Sequence, residues 1–173
     1  MKGIVIYKSK YGSTRKYAEW ISESTGYECV DAGKVNVNDL TAYDTIIFGG
    51  GLYASGIAGL SILKKIVGTH TGKKIIAFCC GASPYEENYF QEIINYNMKA
   101  ELAEIPLFYC RGACSMDGMS FKDRTLCKIL RKSLAKKDPK DYAVWEAAFV
   151  EAVDTGKDWT DKEFINPILQ ELK

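Results

Sequence analysis

Between residues 9 and 14 the chain sets Ser9, Tyr11, Ser13 and Thr14 around a single glycine, Gly12. Hydroxyls crowded about a glycine offer O–H donors beside accessible backbone N–H groups, a set suited to anions and to phosphate above all. The residues before the loop, Gly3-Ile4-Val5-Ile6-Tyr7, form a short apolar run that reads as a buried strand. Those after it, from Arg15 to Ile21, follow a helical period, which puts the loop at the positive end of a helix dipole. The loop is not the phosphate loop ending in Gly-Lys-Ser/Thr, because no lysine follows its glycine. With one glycine it is not the Gly-x-Gly-x-x-Gly turn either. Side-chain hydroxyls in place of a backbone-only cradle suit a terminal phosphomonoester enclosed on all sides. On its own, the segment also reads as a plain strand-to-helix connection in which Ser13 caps the helix.

Other residue types offer less. Cys29, Cys79, Cys80, Cys110, Cys114 and Cys127 lie mostly in apolar, strand-like runs, where cysteine acts as a small hydrophobe. Cys110 and Cys114 are the one close non-adjacent pair and lack the second pair or histidines of a zinc site, so no metal is expected. A thiol-based redox role for that pair has little support, since only Arg111 nearby would lower a thiol pKa. The single histidine, His70, is expected on a surface loop between Gly68 and Gly72. No Ser-His-Asp arrangement is apparent.

Stepping outward, apolar runs at 27–31, 44–48, 73–79 and 105–109 read as four further strands, the last marked as an edge by Pro106. Helical patterns occupy 14–24, 60–67, 86–99, 121–136 and 139–154. Strands alternating with helices, without repeats or a linker, predict one α/β domain over 1–173, an open parallel sheet wrapped by helices. Its 47% hydrophobic and 26% charged residues fit a globular protein. In such sheets ligands bind beyond the carboxyl ends of the strands. Small-residue loops follow the first, third and fourth strands: 9–14, the run Gly49-Gly50-Gly51-Leu52-Tyr53-Ala54-Ser55-Gly56, and Cys80-Gly81-Ala82-Ser83-Pro84-Tyr85. All three converge at one sheet edge.

In this order and spacing the three loops closely resemble those of the flavodoxin family, across essentially the whole chain. The resemblance implies a three-layer, doubly wound flavodoxin-like fold with a five-stranded parallel sheet of order 2-1-3-4-5, and non-covalently bound FMN. It implies that Ser9, Tyr11, Gly12, Ser13 and Thr14 hold the 5′-phosphate. Gly50, Gly51, Leu52 and Tyr53 would approach one side of the flavin, and Gly81, Ala82 and Tyr85 the other. Tyr53 and Tyr85 are the candidates for stacking on the ring, against the alternative of plain surface aromatics. Gly50 and Gly81 would allow the peptide flips by which this family follows flavin protonation. No side chain is expected to act as a catalytic nucleophile; the chemistry would belong to the flavin.

A finer resemblance, at 44–67, at Tyr109-Cys110-Arg111-Gly112-Ala113 with Asp123-Arg124, and at Tyr142-Ala143-Val144-Trp145-Glu146, is to the menaquinone-dependent protoporphyrinogen oxidases. Those enzymes tend to carry an Arg-Tyr-Gly-His type run where this chain has Tyr53-Ala54-Ser55-Gly56. The resemblances thus imply an FMN redox protein, either an electron carrier or a quinone-coupled oxidoreductase acting on protoporphyrinogen IX. An FMN-free binding module on the same fold is the contrasting alternative, disfavoured by the intact hydroxyl loop.

Net charge is +1, whereas flavodoxins that shuttle electrons are as a family strongly acidic. From Phe121 to Lys137 the chain carries seven basic residues and one acid, Asp123, against an acidic remainder. Leu126, Ile129, Leu130 and Leu134 form an apolar stripe there, expected to pack on the sheet with the lysines in water. The competing expectation is a docking face for an anionic membrane or an acidic redox partner. A redox partner protein or a quinone is expected, and no nucleic acid. Lacking a signal-peptide pattern or an apolar run of about 20 residues, the chain is expected in the cytoplasm, with possible peripheral placement at the inner membrane surface.

Overall fold

A computed structural model describes residues 2–173. Strands β1 (Gly3–Lys8), β2 (Glu28–Asp31), β3 (Thr45–Tyr53), β5 (Lys74–Gly81) and β6 (Leu107–Arg111) form a parallel sheet in the order β2-β1-β3-β5-β6. A two-residue strand, β4 (Gly56–Ile57), folds back antiparallel on the end of β3. Apart from that hairpin, the long strands follow the predicted 2-1-3-4-5 order.

Strand alternation divides the core between two faces. Ile4, Ile6, Ile46, Phe48 and Ile75 pack with Leu63 and Ile66 of α2 (Leu60–Thr69), Met98 and Leu102. Val5, Ile47, Ile76 and Phe78 pack on the other side with Tyr17, Ala18 and Ile21 of α1 (Ser13–Thr25) and Ile168 of α6 (Asn166–Glu171). Both faces are therefore covered, which is why β1, β3 and β5 read as unbroken apolar runs rather than alternating ones. Helix α3 (Glu87–Asn97) lies against β4.

Beyond β6 the chain leaves this body. A short strand β7 (Ala113–Cys114) pairs antiparallel with β8 (Lys157–Asp158), and between them run α4 (Phe121–Leu134) and α5 (Val144–Thr155), packed on one another. The expected 139–154 helix is broken at its start: Pro139–Asp141 makes a single 3₁₀ turn and Tyr142 and Ala143 are extended before α5 begins. No helix among the described residues is long and apolar enough to cross a membrane.

Three expectations are corrected. The run Gly49-Gly50-Gly51 is strand, not loop: these residues pair with Tyr7 and Lys8 of β1 and with Phe78, Cys79 and Cys80 of β5. Glycine is required there by packing, since a Cβ on Gly49 would lie 2.1 Å from the Phe78 ring. β6 starts two residues late, after Pro106, whose carbonyl still accepts from the Ala77 N–H at 2.9 Å. His70 is not on the surface. It ends α2 at 5% exposure, and its ring nitrogen meets the Val37 carbonyl at 2.6 Å, giving a buried polar side chain a partner.

Candidate functional site

The carboxyl ends of β1, β3, β5 and β6 share one edge, and the predicted residues gather there. At the end of β1, Gly12 is the N-cap of α1 with φ 101°, a left-handed conformation open to glycine and strained for a residue with a Cβ. It brings no side chain to the helix start and the first turn holds no acid, so the leading N–H groups of α1 meet no capping side chain. Hydroxyls surround that terminus. Ser9 Oγ accepts from the Gly12 N–H (3.1 Å), and Ser13 Oγ accepts from the Ala113 N–H (2.9 Å). Both oxygens are fixed by main-chain donors, which leaves each hydroxyl proton to be given elsewhere. Thr14 is turned inward instead: it is buried and its hydroxyl bonds to the Cys80 thiol.

Lys10 and Tyr11 tie the loop to α4. The Lys10 ammonium and the Tyr11 hydroxyl both donate to one carboxylate oxygen of Asp123. These two bonds, Lys10 first, hold the Asp123 carboxyl below its ordinary range, and Asp123 in turn raises Lys10. Tyr11 therefore stands at the rim with its hydroxyl engaged.

Gly50, Gly51, Leu52 and Tyr53 end β3. A Cβ on Gly50 would meet the Ala58 carbonyl at 2.5 Å, and the Gly51 carbonyl accepts from the Ala58 N–H. Gly50 is held in a ladder with neighbours on both sides, so the cheap peptide flip expected of it is opposed by strand pairing. The turn of the hairpin, Ala54 (φ 47°) and Ser55 (φ 66°), is left-handed at two non-glycine residues. Asn97 holds it there: its side chain accepts from the Ile57 N–H and donates to the carbonyls of Ser55 and Ile93 at 2.7–2.9 Å. Thus anchored, the hairpin returns Tyr53 over the first loop, where its hydroxyl oxygen accepts from the Lys10 N–H at 3.1 Å. Tyr11 meets its ring edge-on at 6.4 Å. Burial raises the Tyr53 pKa, partly offset by the Lys10 N–H.

Gly81 ends β5 and is likewise tethered, its carbonyl accepting from the Gly112 N–H at 2.7 Å. Leu52 lies against it, within 3.0 Å of where a Cβ would sit, so the ends of β3 and β5 touch. The Ala82 carbonyl accepts from Arg111 Nε (3.1 Å), and Tyr85, exposed, joins Phe90 and Tyr109 in an aromatic cluster. The structure thus brings the twelve predicted residues to one edge in two groups, Tyr11 and Tyr53 by the hydroxyl loop and Tyr85 beyond the end of β5.

Sequence reasoning missed a supporting wall. Gly112 packs its α-carbon against Cys80 Sγ and Ser13, at 2.7 and 3.2 Å from an added Cβ, and Arg111 stacks on Trp159 at 4.0 Å. Tyr17, buried in α1, donates to the Arg111 carbonyl and accepts from the Asp161 N–H. The resemblance at Tyr109-Cys110-Arg111-Gly112-Ala113 marked this stretch in the sequence, but nothing pointed to its partners Tyr17, Trp159 and Asp161. Cys79, Cys80 and Cys110 lie behind the site; burial raises each thiol, that of Cys80 to about 12. Cys110 faces the Phe164 carbonyl. No group of three or more His, Cys, Asp and Glu among the described residues gathers to hold a metal ion.

A family model of the flavodoxin domain matches residues 4–142. The chain belongs to the flavodoxin domain family. An uncharacterized protein of Methanocaldococcus jannaschii is 31% identical over 117 residues, 65% of this chain and 76% of that protein. Among solved structures, a flavodoxin from the domain Archaea is 24% identical (79% of this chain, 98% of that one, TM-score 0.42). Oxidised flavodoxin 1 of Bacillus cereus is 19% identical (88% and 99%, TM-score 0.42). In this flavodoxin-domain chain the family's sheet is joined to the β7–β8 and α4–α5 segments described above.

Proposed function

We propose that this chain is an electron-transfer protein that works through non-covalently bound FMN. The observation that carries the reading is the α1 N-terminus: free of any capping side chain, begun by a left-handed Gly12, and ringed by the Ser9 and Ser13 hydroxyls. That donor set fits a phosphomonoester dianion, with the helix dipole adding to it. Ser9 and Ser13 would donate their hydroxyl protons to the phosphate, and Gly12 would let the backbone approach. Leu52, Gly51, Gly81 and Ala82 would line the ring site, with Tyr53 and Tyr85 supplying aromatic surface. FMN, when bound, supplies the one- or two-electron chemistry. The buried, protonated thiols of Cys79, Cys80 and Cys110 would keep the scaffold inert beside it.

The finer reading, a menaquinone-dependent protoporphyrinogen IX dehydrogenase, is supported by sequence resemblance at 44–67, 109–113 and 142–146. Binding and turnover separate these readings. Wild-type protein should bind FMN and show flavin absorption. Ser9→Ala/Ser13→Ala should weaken FMN by about 100-fold while leaving riboflavin, which lacks the phosphate, nearly unchanged. Equal losses for both ligands would remove the phosphate assignment, and no flavin binding at all would leave a binding module on the same fold. Anaerobic porphyrin formation from protoporphyrinogen IX with a menaquinone analogue would establish the dehydrogenase; its absence with FMN bound would leave a carrier serving a redox partner protein or a quinone.

A further inference from the structure

Helix α4 has two unlike faces. On the inner one Leu134 is buried and Cys127 and Leu130 are half-buried. Its cations there are each matched: Arg131 donates to both carboxylate oxygens of Asp154 on α5 (3.0 and 2.8 Å), and Lys137, just past the helix, meets Glu146 at 2.7 Å. Asp123, the one acid, is turned onto the loop at residues 10 and 11.

The outer face is the reverse. Arg124, Lys128 and Lys132 recur every fourth residue, one row about 12 Å long, and Lys136 follows just past the end of the helix. All four are exposed, and none enters an ion pair among the described residues. Like charges four apart on a helix repel, and no acid among the described residues pairs with this row. Beside it run Phe121, Thr125 and Ile129, with Leu126 further round; Phe121 is 87%, Ile129 60% and Leu126 55% exposed. The stripe expected to pack on the sheet therefore delivers only Leu134 to the interior.

We propose that this face of α4 docks on an anionic lipid bilayer, the cation row on the headgroups and Phe121, Ile129 and Leu126 in the upper acyl region. The occupant must neutralise cations and accept large apolar side chains on one convex surface. A bilayer interface does both and conforms to the helix. Nucleic acid would satisfy the cations but not the apolar row. The proposal goes beyond the cofactor reading and is read without it.

The test is co-sedimentation with phosphatidylcholine vesicles with and without phosphatidylglycerol, at low and high salt. Wild type should partition only onto the anionic vesicles and be released by salt. Lys128→Gln/Lys132→Gln should lower the partition coefficient about thirtyfold. Lys34→Gln/Lys65→Gln, removing equal charge from exposed sites elsewhere, should leave it unchanged. Phe121→Ser should lower it severalfold with the same salt dependence. Far-UV circular dichroism establishes that these surface variants fold. No association with anionic vesicles, equal binding by the Lys128/Lys132 variant, or an unchanged Phe121→Ser would overturn the proposal. Binding to soluble polyglutamate without binding to vesicles would also overturn it, in favour of an acidic protein partner.

Discussion

The sheet body and the α4–α5 hairpin are built from similar residues put to opposite use. In the body, apolar side chains disappear: Phe78, Ile47, Ile76 and Ile21 are all 0% exposed, and glycine is placed where a neighbour's ring needs the room. In the hairpin, leucine and isoleucine at helical spacing face solvent, and ion pairs across α4 and α5 join the two helices. A helical apolar period thus shows that a stripe exists but not that anything covers it.

The sharpest break in that comparison comes from truncating the same chemistry in both regions. Phe78→Ala should cost about 3–5 kcal/mol in urea unfolding, through lost burial and a residual cavity. Leu126→Ala and Ile129→Ala should stay within about 0.5 kcal/mol. If the exposed pair proved as costly as Phe78, the hairpin would have a covered face after all. Next in size, Gly50→Ala should cost about 1–3 kcal/mol and lower Tm by several degrees, because the obstruction is the Ala58 backbone as well as the buried Ile57 side chain.

A third test uses acid. Hydrogen bonds from Arg131 and Lys137 hold Asp154 and Glu146 below their ordinary values of 3.8 and 4.5. A carboxyl depressed in the folded state stabilises it above the unfolded pKa and ceases to as pH falls through the folded one. Amide protection in α4 and α5, taken relative to the intrinsic exchange rate at each pH, should therefore fall below about pH 4, before that of β1, β3 and β5, with solvent exposure keeping the effect modest. The smallest effect is chemical. In the native protein iodoacetamide should modify the half-buried Cys29, Cys114 and Cys127 while sparing Cys79, Cys80 and Cys110, as mass spectrometry would show.

The body was legible because its signals are local. Continuous apolar runs give doubly covered strands, and small residues at their ends mark one edge. What escaped the sequence are contacts made at long separation. Asn97 reaches Ser55 across 42 residues, Ser13 meets Ala113 across 100, and Lys10 meets Asp123 across 113. Nothing in the pattern of either partner announces them. Gly49 to Gly51 read as a loop for a related reason: glycine signals missing side-chain volume, and only Phe78, Ile57 with Ala58, and Tyr53, which occupy that volume at the three positions in turn, show that it is filled by packing rather than freed for a turn.

Asp123 carries the consequence furthest. One carboxylate oxygen receives both Lys10 and Tyr11, so the start of α4 and the hydroxyl loop share a joint. Anything that draws Lys10 or Tyr11 aside loosens the beginning of α4, and anything that pins α4 steadies those two residues. Such influence runs equally in both directions as a matter of thermodynamics: the free energy by which a ligand proposed for the loop would alter the proposed docking of the helix is the same by which that docking would alter occupancy of the loop.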